Sequence, residues 1–230
     1  MLHKMNLKTE GLDACVREAK RVLEQGGVIL YPTDTLYGLG ADAFSDEAVD
    51  KVYEIKGRDE RKPIHCIVAD IAMAGEYAEV TNDAKLLFER LLSGGLTVIL
   101  RKRPGVDGGI ARDMETIGIR IPNNEFCLQL AHAFGKPFTA TSANVAGHVP
   151  ERSIAKILEQ FSYDSILPSF AEASEDKQKT RIDLIIDAGE LPASKPSTVV
   201  DLSGEEPVIL REGVIPAADV WNAIREMRDN

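Results

Sequence analysis

The chain has 230 residues, 44% of them hydrophobic and 28% charged, with 27 Lys and Arg against 37 Asp and Glu for a net charge of −10. This is the composition of an ordinary globular protein with one sizeable core or two small ones, and its acidity argues against broad, non-specific nucleic-acid binding. No apolar run approaches the roughly 20 residues that span a bilayer, and the first residues lack the apolar stretch of a secretory signal, so a cytoplasmic protein with no membrane partner is expected. Cys15, Cys66 and Cys127 are odd in number and widely spaced, which fits reduced thiols rather than disulfides or zinc ligands. His3, His65, His132 and His148 show no metal-binding spacing.

Helix and strand signals alternate along the chain. Leu12, Cys15, Val16, Ala19, Val22 and Leu23 recur at helical spacing, and Gly26-Gly27 stops that helix. Val28 to Tyr31 reads as a buried strand running into a hydroxyl-rich loop, Pro32 to Gly40. Ser45 is an N-cap with Asp46 and Glu47 behind it, and Gly57 ends the helix. Then come a strand over Ile64–Ala69, helices near 70–78 and 82–92, and strands over Leu96–Arg101 and Thr116–Ile121. A helix from Asn124 to Phe134 stops at Gly135, and a strand over Pro137–Thr141 runs into Ser142-Ala-Asn144. The polar stretch 171–181 is a surface excursion, followed by strands over Ile182–Ile186, Thr198–Leu202 and Pro207–Leu210. Pro216 starts a last helix to about Met227, with Val220, Trp221 and Ile224 on its apolar side. The pattern predicts one mixed α/β domain, a twisted sheet with helices packed against it.

Several segments carry chemistry. On a strand, Ile117, Ile119 and Ile121 share one face and Thr116, Gly118 and Arg120 the other, so the second face offers a hydroxyl, a gap and a guanidinium to an anion. Alone, this is equally a strand with one solvated face. If Gly57 ends its helix, Lys56 and Arg58 can converge on one phosphate; the alternative is cations placed favourably at a helix C-terminus. Arg61 and Lys62 extend the basic stretch. Ser142 and Asn144 stand at a strand end, where α/β sheets usually bind ligands, although capping or holding the turn toward Gly147 explains them too. Ser197 and Arg211 close two further strands and could complete a ring of donors. Asp34 and Asp201 could help position a metal but belong to no carboxylate cluster. Walker A, GxGxxG and HExxH patterns are absent, and cations outnumber candidate acids and bases, which suggests phosphoryl or nucleotidyl transfer by positioning and charge neutralisation.

Taken in order, PTDTLYGLG, the Lys56/Arg58 pair, TIGIRIP, Ser142/Asn144 and STVVD…ILREG resemble the YrdC-like family, the threonylcarbamoyl-AMP synthases. The resemblance spans residues 12–213, taken as the catalytic domain, with 214–230 as a helical tail packed on it. It implies an α/β twisted sheet with a concave basic cavity, in a short form without the further C-terminal domain of longer members. The implied reaction joins L-threonine, bicarbonate and ATP into threonylcarbamoyl-AMP and pyrophosphate, with Mg²⁺ carried on ATP. The product would serve a separate transfer complex that modifies a tRNA adenosine beside the anticodon, with direct tRNA contact a further possibility. By motif, Thr35, Arg120, Ser197 and the backbone near Ala140 would hold threonine. Lys56, Arg58, Lys62, Thr116, Ser142, Asn144 and Arg211 would face ATP, with Lys56 and Arg58 stabilising charge on its phosphates. Two positions depart from the family: Lys62 stands where Asn is common, and Ile67 where a histidine is common, with His65 two residues earlier. No general base is obvious. Rival readings are a non-catalytic RNA- or tRNA-binding module, a carbamoyl-transfer domain of the hydrogenase-maturation type, and a regulatory protein that keeps only the fold.

Overall fold

Side-chain alternation along the strands decides the architecture. A computed structural model describes residues 3–57, 62–91, 94–161 and 182–228. Its strands are β1 (His3–Asn6), β2 (Ile29–Pro32), β3 (Tyr37–Gly40), β4 (His65–Ile67), β5 (Leu96–Arg101), β6 (Thr116–Arg120), β7 (Phe138–Ser142), β8 (Leu184–Asp187), β9 (Thr198–Asp201) and β10 (Val208–Arg211). They pair in the order β1-β8-β2-β3-β7-β4-β6-β5-β9-β10, a mixed sheet of parallel and antiparallel neighbours. The helices are α1 (Leu7–Glu10), α2 (Leu12–Glu24), α3 (Asp46–Lys56), α4 (Ile71–Tyr77), α5 (Asn82–Arg90), α6 (Glu125–Phe134), α7 (Ile154–Gln160) and α8 (Ala217–Arg228).

Alternate strand residues face opposite sides. Val28, Leu30, Cys66, Val98, Ile117, Ile119 and Val200 join one core with apolar residues of α3, α4, α5, α7 and α8. Ile29, Tyr31, Ile67, Leu184 and Ile186 belong to a second core with α2 and α6. Burying a side chain such as Leu130 or Phe126 of α6 contributes about 1.5–3 kcal/mol. These two helices cover only part of the second face. Beyond them, beside His65, Arg120, Thr97 and Arg211, that face opens into a cavity.

The helix punctuation acts as the sequence predicts. Ser45 Oγ accepts from the Ala48 amide at 3.3 Å, and Gly57 closes α3 at φ 54°, a left-handed conformation that suits glycine. Val220, Ala223 and Ile224 of α8 join the first core, and Arg90 of α5 pairs with Glu226. Among the described residues no helix is long and apolar enough to cross a membrane. The 171–181 excursion and the end of the predicted 82–92 helix lie outside the described residues.

Five elements among the described residues are additional to the predicted ones: β1, α1, α7, a 3₁₀ turn at Gly109–Ala111, and β3. The last matters most. Tyr37-Gly-Leu-Gly40 is the second strand of a hairpin with β2, so the predicted long loop is short, Thr33 to Leu36. Its glycines are there for Tyr31: a Cβ on Gly38 would stand 3.0 Å from Tyr31 Cζ, and one on Gly40 3.0 Å from Tyr31 Cε1. The ring lies across the strand, and the Tyr31 hydroxyl donates to the Thr139 carbonyl at 3.0 Å.

Candidate functional site

The cavity has a volume of about 140 Å³ and is walled by the hairpin tip (Thr33, Thr35, Leu36), by His65, Thr97, Arg120 and Ala140, and by Ser142, Pro196, Ser197 and Arg211. A void of about 150 Å³ accepts a molecule the size of benzene. This one therefore suits an amino acid and is too small to enclose a whole nucleotide.

Arg120 anchors the wall. As the last residue of β6 it carries the open face to the hairpin tip, where it pairs with Asp34 at 2.6 Å, both side chains being 9% exposed. Its Nε donates to the Gly94 carbonyl at 3.0 Å, and its Nη2 donates to Asp34 Oδ1 and, at 2.9 Å, to Thr35 Oγ1. Nη1 has no partner among the described residues and keeps both hydrogens for a ligand. The hairpin tip is equally built. Thr33 Oγ1 accepts from the Thr35 amide at 3.0 Å and the Leu36 amide at 3.1 Å, and donates to the Leu36 carbonyl at 2.7 Å. With the Thr33 hydrogen so placed, Thr35 donates in the 3.0 Å contact between the two hydroxyls. Asp34 Oδ2 is buried without a hydrogen-bond partner, and Oδ1 pairs with Arg120.

On the facing wall, Ser197 Oγ lies 2.9 Å from Thr97 Oγ1 and accepts from Arg211 Nη2 at 3.2 Å, while Arg211 Nε donates to the Ser197 carbonyl at 3.0 Å. Arg120, Thr35, Ser197, Ala140, Ser142 and Arg211 thus line one cavity.

The remaining predicted residues behave differently. Lys56 is 2% exposed, and its Nζ donates to the Ser142 carbonyl and, at 2.9 Å, to the Asn144 carbonyl. The Ala146 amide returns a bond to the Lys56 carbonyl at 2.9 Å. The Asn144 amide group donates to the carbonyls of Val145 at 2.9 Å and His148 at 2.8 Å, and its Oδ1 accepts from Ser142 Oγ. These residues hold the 142–148 loop beside the cavity, the turn-holding alternative for Asn144. Thr116 begins the strand that Arg120 ends, about 13 Å away at roughly 3.3 Å per residue, and is not on the cavity wall. Lys62 is exposed, and its carbonyl accepts from the Tyr53 hydroxyl at 3.0 Å. Arg58 and Arg61 lie outside the described residues. Of the metal candidates, Asp34 is taken by Arg120, and Asp201 Oδ1 accepts from the Ser203 amide at 2.8 Å and hydroxyl at 2.6 Å. Among the described residues no three acidic, His or Cys side chains cluster for a metal.

The gap read at Gly118 is filled. A Cβ there would collide with the His65 ring, which lies against β6 on its open face. Ile67, where the family resemblance places a histidine, is fully buried in the second core and pairs in register with Arg120. Thr97 and Thr33 are cavity residues that sequence reasoning did not name, while Asp34 entered it only as a metal candidate and His65 only as a histidine two residues from the expected place. Only the strand alternation of Thr97 and the position of Asp34 between two threonines signalled them. Burial pushes the thiol of Cys66 up to about 12 and that of Cys127 higher still, so both are inert core groups.

A family model of the Sua5, YciO and YrdC proteins, described as "Telomere recombination", matches residues 21–169 and 162–213. A putative threonylcarbamoyl-AMP synthase of Methanocaldococcus jannaschii is 36% identical over 86% of this chain and 89% of its own length. The crystal structure of Pyrococcus abyssi Sua5 complexed with L-threonine superposes with a TM-score of 0.82 at 29% identity, covering 97% of this chain and 61% of that one. Escherichia coli YciO superposes with a TM-score of 0.73 at 26% identity, covering 94% of this chain and 97% of that one. Some relatives are therefore as short as this chain, whereas Sua5 is much longer. By sequence and by fold, the chain belongs to the Sua5, YciO and YrdC family.

Proposed function

We propose that the chain makes threonylcarbamoyl-AMP and pyrophosphate from L-threonine, bicarbonate and ATP. The observation that carries this is an amino-acid-sized cavity in which Arg120 Nη1 is left open for a carboxylate. The comparisons point the same way: relatives covering most of the chain are named threonylcarbamoyl-AMP synthase, and the superposed Sua5 holds L-threonine. In this reading Arg120 takes the threonine carboxylate, with Thr35, Ser197 and the Ala140 backbone fixing its remaining polar groups. The amine combines with bicarbonate to give a carbamate, whose oxygen attacks the α-phosphorus of ATP and expels pyrophosphate.

ATP would lie across the open side, against Arg211 and the 142–148 loop. Ser142 and Asn144 shape that loop and Lys56 holds it from behind, while Lys62 and, by its motif, Arg58 would serve the phosphates. Thr116, at the other end of β6, would meet a nucleotide whose base extends along that strand. Mg²⁺ enters as part of the nucleotide substrate, since the described residues offer no carboxylate cage for it. The product is a reactive mixed anhydride, so a separate transfer complex acting on tRNA is its consumer, and the cytoplasm is the compartment that follows. A non-catalytic RNA-binding module does not account for an amino-acid-sized cavity walled by donors, in a chain of net charge −10.

The test is pyrophosphate release by purified protein with MgATP, omitting threonine or bicarbonate in turn, with mass spectrometry of the adenylate. Release that needs both substrates is the expected result; ATP binding without turnover would return the binding-module reading.

A further inference from the structure

Carbamate formation has an unmet need for a base. At neutral pH the threonine amine is an ammonium group with no lone pair, so a proton must leave before the C–N bond forms. The cavity wall holds few groups that can take it. Tyr31 and Tyr37 are on the wall, but burial raises the Tyr31 phenol well above its ordinary value and pushes Tyr37 up to about 12, so both stay protonated. Arg120 and Arg211 are permanent cations. His65 is the one imidazole on the wall among the described residues.

Its placement is built rather than incidental. His65 stands in β4 on the same sheet face as Arg120, with Ala140 as its register partner in β7 and β6 on the other side. Its ring lies over Gly118, the residue of β6 whose missing Cβ makes room for it. Gly118 and Arg120 are two residues apart on one face, about 7 Å along the strand. A carboxylate held at Arg120 and the imidazole over Gly118 therefore border the same stretch of the cavity. His65 is also partly exposed, so a proton it accepts can pass on to water.

We propose that His65 is the proton acceptor that readies the substrate amine for carbamate formation. This rests on the synthase reading above. The imidazole takes one proton from the ammonium group. The freed lone pair then forms the C–N bond to the bicarbonate carbon, one C–O bond of bicarbonate breaks, and water leaves. The sum of amine and bicarbonate is carbamate and water, and the imidazolium returns its proton to solvent. Among the described residues the charged and titratable groups that share the cavity wall with the ring include Arg120 on β6, Arg211 on β10, Tyr31 on β2 and Tyr37 on β3, with Asp34 engaged by Arg120.

The test compares wild type, His65→Gln and His65→Ala in full-length protein with MgATP, threonine and bicarbonate, following kcat/KM for threonine against pH. Wild type should show one acid limb, set by the imidazole, and then a plateau. His65→Gln should lose roughly 10²-fold at neutral pH and rise log-linearly through that range, following the free amine alone. Its KM for ATP, and the back reaction from threonylcarbamoyl-AMP and pyrophosphate, should stay near wild type. Added imidazole should restore His65→Ala in proportion to its free base. A wild-type pH profile in His65→Gln overturns the proposal, as does a loss shared equally by the back reaction. Wild type that forms no threonylcarbamoyl-AMP at any pH overturns the synthase reading itself, and the role of His65 with it.

Discussion

Two buried cations flank the site and are held in opposite ways. Arg120 is paired with an acid, Asp34, and uses Nε and Nη2 on its surroundings while Nη1 remains for a ligand. Lys56 is more deeply buried, and its ammonium group is directed at two backbone carbonyls of the 142–144 turn. A guanidinium has five donors in a rigid plane and can hold its place and a substrate at once. An ammonium group is a point charge, and here that charge gathers a loop. The difference separates a residue that binds from a residue that shapes, although both read as phosphate or carboxylate ligands in the sequence.

Substitutions at the two cations break this comparison most sharply. Arg120→Lys keeps the charge and loses the fork, so kcat/KM for threonine should fall roughly 10²- to 10³-fold, about 3–4 kcal/mol, with KM for ATP nearly unchanged. Steady-state kinetics with each substrate varied checks it, and a shared fall for both substrates would make Arg120 structural. Lys56→Met leaves the carbonyls of Ser142 and Asn144 without their buried donor, at about 1–3 kcal/mol each. Thermal unfolding should drop by about 5–10 °C, with ATP-side kinetics suffering more than threonine binding. An unchanged Tm would show that the loop does not depend on Lys56.

Smaller effects sharpen the picture around the hairpin. Tyr31→Phe removes the hydroxyl that donates to the Thr139 carbonyl and keeps the ring over Gly38 and Gly40, so a loss of about 1 kcal/mol by urea unfolding is expected with threonine affinity intact. The smallest effect concerns the sheet edge. Burial pushes the Asp187 carboxyl up, but Lys4, the Gly189 amide and Tyr37 together outweigh it and hold it below the usual value of 3.8. A depressed carboxyl adds stability that is present above pH 3.8 and is lost as pH falls through its lower folded value. Lys4→Met should flatten that acid limb of the stability profile, measured by urea unfolding between pH 2 and 5 (on the order of the shift itself).

The helices were legible because their signals are local. Ser45, Gly57, Asn124 and Gly135 mark ends wherever the helix sits in the fold. Strand β3 was hidden because two glycines read as a loop, and the reason for them is a ring on a neighbouring strand. Strand β1 was hidden because His3 to Asn6 is short and polar and gains its place by pairing with β8, where Lys4 meets Asp187. Within the site, Thr35, Arg120, Ser197 and Arg211 were legible from motif and alternation. Three features were not. The pairing of Asp34 with Arg120 joins residues far apart in sequence, the carbonyl partners of Lys56 carry no side-chain signature, and His65 over Gly118 depends on the register between β4 and β6.

The central claim is that this cavity takes threonine by its carboxylate on Arg120, and calorimetric titration tests it most directly. L-Threonine and L-threoninol, which lacks the carboxylate, would be titrated into wild type and Arg120→Lys without nucleotide. The account predicts that threonine binds wild type, that threoninol does not, and that Arg120→Lys loses the difference. Equal binding of both ligands to wild type, or threonine affinity untouched in Arg120→Lys, would contradict it.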